Sequence, residues 1–287
     1  MQKINLKRML MLWMLPLCII LMAMGNISFS ALGASDQTHF NVGLVIDGSG
    51  SLNSTDPQGV RYGAMDLFLA LLTDGGNQVD TLIFNDNASG YPLHTGLLDL
   101  RGRSAKLSLS QEIKNAPVDG DTDIGTSLLD MVQGLKTARG QNNLPGVVIL
   151  FSDGRTDLGK DEKAYKKSLE NKEEAIVAAQ DAGIPVYTIC LNASQVADPA
   201  ELQEIAQRTS GDFLEVSRPE DLERAFESFY KLIFSTSGVE LLEENYDQDG
   251  TFEYVFEVPR FGAEEVNIIL DSKGVGSTQI FTPQGEM

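Results

Sequence analysis

Asn41 to Ser51 reads NVGLVIDGSGS, and the fold of the whole chain can be worked out from it. Val42, Leu44, Val45 and Ile46 make a short apolar run rich in β-branched residues, the signature of a strand buried on both faces of a parallel sheet. The run ends in an acid followed by glycine and serine, Asp47-Gly48-Ser49-Gly50-Ser51. One carboxylate and two hydroxyls at alternate positions, on backbone that glycine leaves pliant, are hard oxygen donors able to converge on one point. Such donors suit Mg²⁺, Ca²⁺ or Mn²⁺ rather than zinc or copper.

Outward from this strand the chain alternates regularly. Pro57 to Leu72 carries apolar residues at helical spacing and stops before Asp74-Gly75-Gly76. Val79 to Phe84 reads as a strand, Tyr91 to Leu100 as a short edge strand, and Lys106 to Asn115 as a helix. The loop Gly120-Asp121-Thr122-Asp123 runs into a helix reaching about Ala138. Val147 to Phe151, a strongly hydrophobic run, ends in Ser152-Asp153-Gly154. Gly159 to Asn171 is charged and reads as a solvated helix or loop, with a helix from there to Ala182. A strand at Val186 to Leu191, a helix at Ala200 to Gln207, a strand at Phe213 to Val216 and a helix at Pro219 to Phe234 follow. Six strands alternating with helices, the central ones apolar throughout, call for a doubly wound α/β fold with a mainly parallel six-stranded sheet. Ligands of such sheets sit beyond the carboxyl ends of the strands, where Asp47 and Asp153 both fall.

The charge balance narrows the partners. Lys3, Lys7 and Arg8 precede residue 35 and no acid does, so the rest of the chain holds 19 basic against 41 acidic residues, a net −22. Such a surface repels phosphate backbones and anionic lipid, so nucleic acid is not an expected partner. His39 and His94 are too few and too far apart for a histidine metal cluster, and Cys190 in an apolar strand reads as a buried, inert thiol.

Residues 1–34 read as an export signal: three basic residues, the 16-residue apolar run Met9 to Met24, then small residues from Ser28 to Ala34. Cleavage near Ser30 to Ala34 is the favoured expectation. The alternative is an uncleaved membrane anchor, because the run together with Gly25 to Ile27 approaches spanning length. Either way the chain is expected to be secreted or held at the cell surface, touching membrane only through this segment. At the other end, residues 237–287 change character. Phe252, Tyr254, Phe256 and Val258 alternate with polar residues, and Val266, Ile268 and Leu270 continue the period. A β-rich segment is expected there, packed on the main domain or forming the start of a β-sandwich.

Asp47-x-Ser49-x-Ser51, Thr122 and Asp153 together resemble the metal-ion-dependent adhesion site of von Willebrand factor type A domains. That pattern is D-x-S-x-S after the first strand, a threonine in a glycine-bounded loop, and an aspartate closing the fourth strand in a phrase like the Leu150-Phe151-Ser152-Asp153-Gly154 found here. The flanking phrases Asp56-Pro57 and Gly183 to Ile189 are similar to bacterial secreted members, and the likeness covers about residues 38–236. It implies that Ser49 and Ser51 ligate the ion directly, Thr122 directly or through water, and that Asp47 and Asp153 mainly hold its waters. Mg²⁺ is the implied ion, with Ca²⁺ or Mn²⁺ as alternatives. The implied output is capture of a protein ligand whose Asp or Glu completes the coordination, not catalysis. Asp121 and Asp123 read as exposed loop acids. The second metal site of some relatives needs paired acids after the last serine, and Leu52 to Asp56 supplies none in that place.

Two other functions compete. A Mg²⁺-dependent phosphatase would use Asp47 as nucleophile, but that chemistry wants a second acid two residues on, and Ser49 stands there. Serine-hydrolase, zincin and P-loop motifs lack their starting residues. A structural component of an envelope complex, with the metal serving only stability, is the third reading.

Overall fold

The structure, a computed structural model, describes residues 39–87, 89–193 and 199–234. The export segment and the expected C-terminal β segment lie outside these. The sheet has six strands in the order β3-β2-β1-β4-β5-β6. β1 is Asn41–Asp47, β2 Gln78–Phe84, β3 Leu93–Asp99, β4 Gly146–Ser152, β5 Val186–Leu191 and β6 Phe213–Val216. Every pairing is parallel except β2 with β3, which is antiparallel as an edge strand can be.

β1 lies in the middle, paired with β2 on one side and β4 on the other, and all seven of its residues are buried. Its side chains alternate between two cores. Val42, Leu44 and Ile46 join Phe68, Phe226 and Phe229 on one face; Val45 joins Leu128, Ile176 and Ile205 on the other. Helices α2 (Val60–Leu71), α3 (Gly102–Asn115) and α7 (Leu222–Phe234) supply the first core, and α4 (Ile124–Asn142), α5 (Glu162–Ala182) and α6 (Ala200–Arg208) the second. In α7 the buried set Leu222, Ala225, Phe226, Phe229, Tyr230 and Ile233 falls on one helical stripe, and Phe68 meets Phe226 and Tyr230 edge-on at 6.1 and 6.2 Å. After β3 the chain returns to the other side of β1 to form β4. The strand order therefore reverses between β1 and β4, opening a crevice at their carboxyl ends.

Two local expectations are corrected and a third is refined. The helix expected from Pro57 begins only at Val60, after a separate turn of helix, α1 (Leu52–Thr55). The Asp56 carboxylate accepts from the Val60 and Arg61 amides and pairs with the buried Arg61 guanidinium at 2.7 Å, while Gly59 takes a left-handed φ of 66°. The charged segment Gly159 to Asn171 enters the first half of α5 and is mostly exposed, but Ser168 and Asn171 within it, and Lys172 just after it, are buried against α4 and α6. Asp123 is not an exposed loop acid: it is 8% exposed and caps α4, accepting from the Thr126 amide at 3.1 Å and the Ser168 hydroxyl at 2.5 Å.

Close helix packing explains one glycine on α4. A Cβ at Gly125 would stand 1.9 Å from the Ser168 carbonyl oxygen, so the first turn of α4 needs a residue without a side chain. Gly125→Ala is expected to lower unfolding stability by about 3 kcal/mol through overpacking. Urea denaturation of the variant beside wild type measures it.

Candidate metal centre

Two strand ends and one helix-leading loop build the site. Asp47 is the last residue of β1, and Gly48 continues the β2 ladder by donating its N–H to the Phe84 carbonyl at 2.7 Å. A Cβ on Gly48 would stand 2.7 Å from Ile83 Cγ2, so only glycine passes here. The chain then turns back on itself, and Asp47 Oδ1 accepts from the Ser49 amide at 2.7 Å. Asp47 Oδ2 accepts from the Ser152 hydroxyl at 2.5 Å, from the end of the neighbouring strand. Ser152 Oγ also accepts from the Gly154 amide at 3.1 Å, which shapes the turn carrying Asp153.

Asp153 is held in the same way. Ser51 Oγ donates to Asp153 Oδ1 at 2.8 Å, and the Thr55 hydroxyl, at the end of α1, donates to Oδ2. Ser49 and Ser51 place their hydroxyl oxygens 3.1 Å apart. Ser51 spends its single proton on Asp153, so Ser49 is the donor between them. Both hydroxyls thereby keep lone pairs for another electrophile.

Thr122 arrives on a loop zipped to this turn by its backbone. The Gly50 amide donates to the Gly120 carbonyl and the Asp119 amide to the Gly48 carbonyl, each at 3.0 Å. Thr122 itself exchanges two backbone hydrogen bonds with Asp157, at 2.7 and 2.9 Å, which ties this loop to the one following Asp153. The latter is secured in turn by Glu201 of α6, which accepts from the Thr156 amide at 2.7 Å and lies 3.7 Å from the Lys172 ammonium. Thr122 is 7% exposed, and its hydroxyl makes no hydrogen bond among the described residues. Asp47, Ser49, Ser51 and Asp153 thus share one hydrogen-bonded cluster; Thr122 joins it through backbone alone.

The electrostatics of this cluster are unfavourable as it stands. Asp47 is 1% exposed, and burial, reinforced by the nearby Asp153 charge, pushes its carboxyl up to about 6 against the pull of its Ser152 and Ser49 hydrogen bonds. Among the described residues no lysine, arginine or histidine forms an ion pair with either acid. Two adjacent carboxylates without a counter-charge, beside hydroxyls with free lone pairs, form an oxygen-only set that fits a hard divalent cation. Among the described residues no group of three or more His, Cys, Asp or Glu gathers into a metal site, so hydroxyls would carry much of the ligation.

Thr55, Ser152 and Glu201 were not read from the sequence as part of the site. Thr55 stands four residues after Ser51 and so shares its side of α1, a spacing that could have found it. Ser152 precedes Asp153 in the quoted phrase. Nothing local marks Glu201, which reaches the loop only through tertiary packing.

A doubly wound α/β domain with an oxygen-lined centre at its strand-order reversal defines a class. Within that class the chain belongs to the von Willebrand factor type A domain family, whose model matches residues 41–228. Among solved structures it is similar to the von Willebrand factor type A protein from Catenulispora acidiphila, at 17% identity and TM-score 0.54 over 67% of this chain and 42% of that one. It is also similar to the pilus adhesin SpaC from Lactobacillus rhamnosus GG, at 15% identity and TM-score 0.55 over 70% and 31% of the two chains. Proximal thread matrix protein 1 from the mussel byssus aligns at 21% identity and TM-score 0.50, over 68% and 46%. At these identities the likeness is one of fold, and the chain spans less than half the length of each of these three. No curated protein matches the chain.

The raised Asp47 carboxyl gives a pH prediction. Its folded value, about 6, lies above the ordinary 3.8, so folding disfavours its ionised form. In the metal-free protein the cost is fully present above pH 6, about 3 kcal/mol at most, shrinks as pH falls towards 3.8, and is absent below that. Asp47→Asn, which removes the charge, is expected to melt higher than wild type at pH 7.5 in EDTA. The gap should close on titration to pH 4, as followed by thermal unfolding at each pH.

Proposed function

We propose that this domain is a divalent-cation-dependent protein-binding module acting at the cell surface or outside the cell. In this reading Ser49, Ser51 and Thr122 offer hydroxyl oxygens to Mg²⁺, or to Ca²⁺ or Mn²⁺, while Asp47 and Asp153 orient those hydroxyls and hold the ion's waters. The bound ion supplies a Lewis-acidic place for an aspartate or glutamate from a partner protein. The observation that carries the reading is the cluster itself: two unneutralised carboxylates, each bound on both oxygens, facing hydroxyls whose lone pairs remain available.

Membership of the family, together with similar folds in a pilus adhesin and a byssal matrix protein, supports an interaction role in an extracellular setting. The apolar N-terminal run and the acidic remainder of the chain agree with export and with a cation-mediated contact. The phosphatase alternative is disfavoured by the state of Asp47. A nucleophilic carboxylate needs an oxygen open to substrate, and here both are bonded within a buried site.

The experiment is a pull-down from the native cell surface with the full chain, in Mg²⁺ and in EDTA. Partner capture is expected in Mg²⁺ alone, and to fall at least about tenfold in Asp47→Ala or Thr122→Ala protein that circular dichroism shows to be folded. Capture that survives both chelation and substitution would falsify the metal-dependent reading.

A further inference from the structure

We propose that Thr55 is a positioning residue for the cation: its hydroxyl fixes the Asp153 carboxylate so that Asp153 can draw the proton of Ser51 away from the metal position. The inference rests on the metal reading above and extends it to a side chain outside the D-x-S-x-S, threonine and aspartate set.

The geometry begins with Ser51. For a serine hydroxyl to present a lone pair to a cation, its proton must point elsewhere, and at Ser51 it points to Asp153 Oδ1 at 2.8 Å. A carboxylate bonded through one oxygen still rotates about its Cβ–Cγ bond, and rotation here would carry Oδ1 away from Ser51. Bonded through both oxygens, it is locked. Thr55 provides the second bond, to Oδ2. The same hydroxyl lies 3.3 Å from the Ser51 carbonyl, but its one proton goes to the charged acceptor, which gains more from it. Asp47 lies close by with the same sign, and among the described residues no lysine, arginine or histidine pairs with either acid, so the hydroxyl bonds are what hold Asp153 in place.

The position of Thr55 fits this task. The backbone around it is tied back to the turn, the Thr55 amide donating to the Ser51 carbonyl at 3.1 Å, so its hydroxyl and Ser51 move as one unit. Thr55 is only half-buried, unlike Asp47, Ser49 and Ser152, and it can be changed without opening the core. Asp47 has its own counterpart in Ser152, so each carboxylate has one hydroxyl outside the five-residue set that holds its far oxygen.

The test is Mn²⁺ binding by the full chain, followed by loss of the free-ion signal in electron paramagnetic resonance, with Mg²⁺ competition. Thr55→Val keeps the shape and removes the hydroxyl. It is expected to bind Mn²⁺ about 10- to 100-fold more weakly than wild type, the usual effect of losing a group that orients a ligand. Thr55→Ser restores the hydroxyl and is expected to recover binding; Thr55→Ala should behave as Thr55→Val does. The melting temperature in EDTA should differ little among the four proteins. Affinity in Thr55→Val within twofold of wild type overturns the inference, as does failure of Thr55→Ser to recover it. Wild-type protein that takes up no Mn²⁺ overturns the metal reading itself, and this one with it.

Discussion

Two carboxylates that repel one another stand side by side at the carboxyl ends of adjacent parallel strands, and much of the domain serves to hold them there. β1 and β4 run in register, Ile46 beside Phe151, so Asp47, one residue further on, and Asp153, two residues further on, emerge at one edge of the sheet. Neither strand can shift to separate them. A slip of one residue would turn Val42, Leu44 and Ile46 from the core of α2 and α7 to that of α4 and α5. Both cores are apolar, so the cost of a slip is misfit: each side chain moved into space shaped for another costs about 1–3 kcal/mol in overpacking or cavities, and several such misfits together outweigh the cost of ionising Asp47 in place. Packing wins, and the charge conflict remains in the native state.

What eases the conflict locally is a shell of short, neutral donors. Ser49 N–H and the Ser152 hydroxyl serve Asp47; the Ser51 and Thr55 hydroxyls serve Asp153. Lysine or arginine in their place would set a counter-charge beside the acids, at the cost of desolvating it. That the acids meet hydroxyls instead, in a chain whose Arg61 and Lys172 are buried with carboxylate partners of their own, marks this as the place where local stability gives way to function. The surrounding loops are braced accordingly. The Thr122 loop is bonded to the β1 turn on one side and to the Asp157 loop on the other, and Asp123 and Glu201 fasten both to the helices behind.

The sequence made the strands and their terminal acids legible because both are local signals: an apolar run of β-branched residues, then an acid and a turn. The β1 acid and serines and the β4 acid were legible for that reason, and Thr122 through its glycine-bounded loop. The burial of Asp123 was not legible, nor was that of Lys172, because a charged residue in a polar stretch reads as solvated until its partner is known. Asp123 meets Ser168, 45 residues away, and Lys172 meets Glu204, 32 residues away. The start of α2 was misplaced for a related reason. Pro57 is a good first helical residue, but the Asp56 carboxylate reaches the Val60 and Arg61 amides and the left-handed Gly59 sets the boundary three residues later. Periodicity located the elements; long-range side-chain bonds decided their ends and the inner details of the site.

The charge of the whole chain bears on why such a site would use a cation at all. With 41 acidic residues against 22 basic ones, the surface repels an approaching carboxylate, and Asp47 and Asp153 would oppose it most at the centre. A divalent ion held as proposed would offset both carboxylates while leaving the neutral hydroxyls beside it, so the repulsion at the centre would be lifted only when the ion is present. A partner acid then meets a cation at short range and like charge everywhere else. In that arrangement cation dependence is more than a bond in the interface, because the acidic background rejects the same partner whenever the ion is absent. A neutral surface with the same five residues would bind more tightly without the ion and discriminate less.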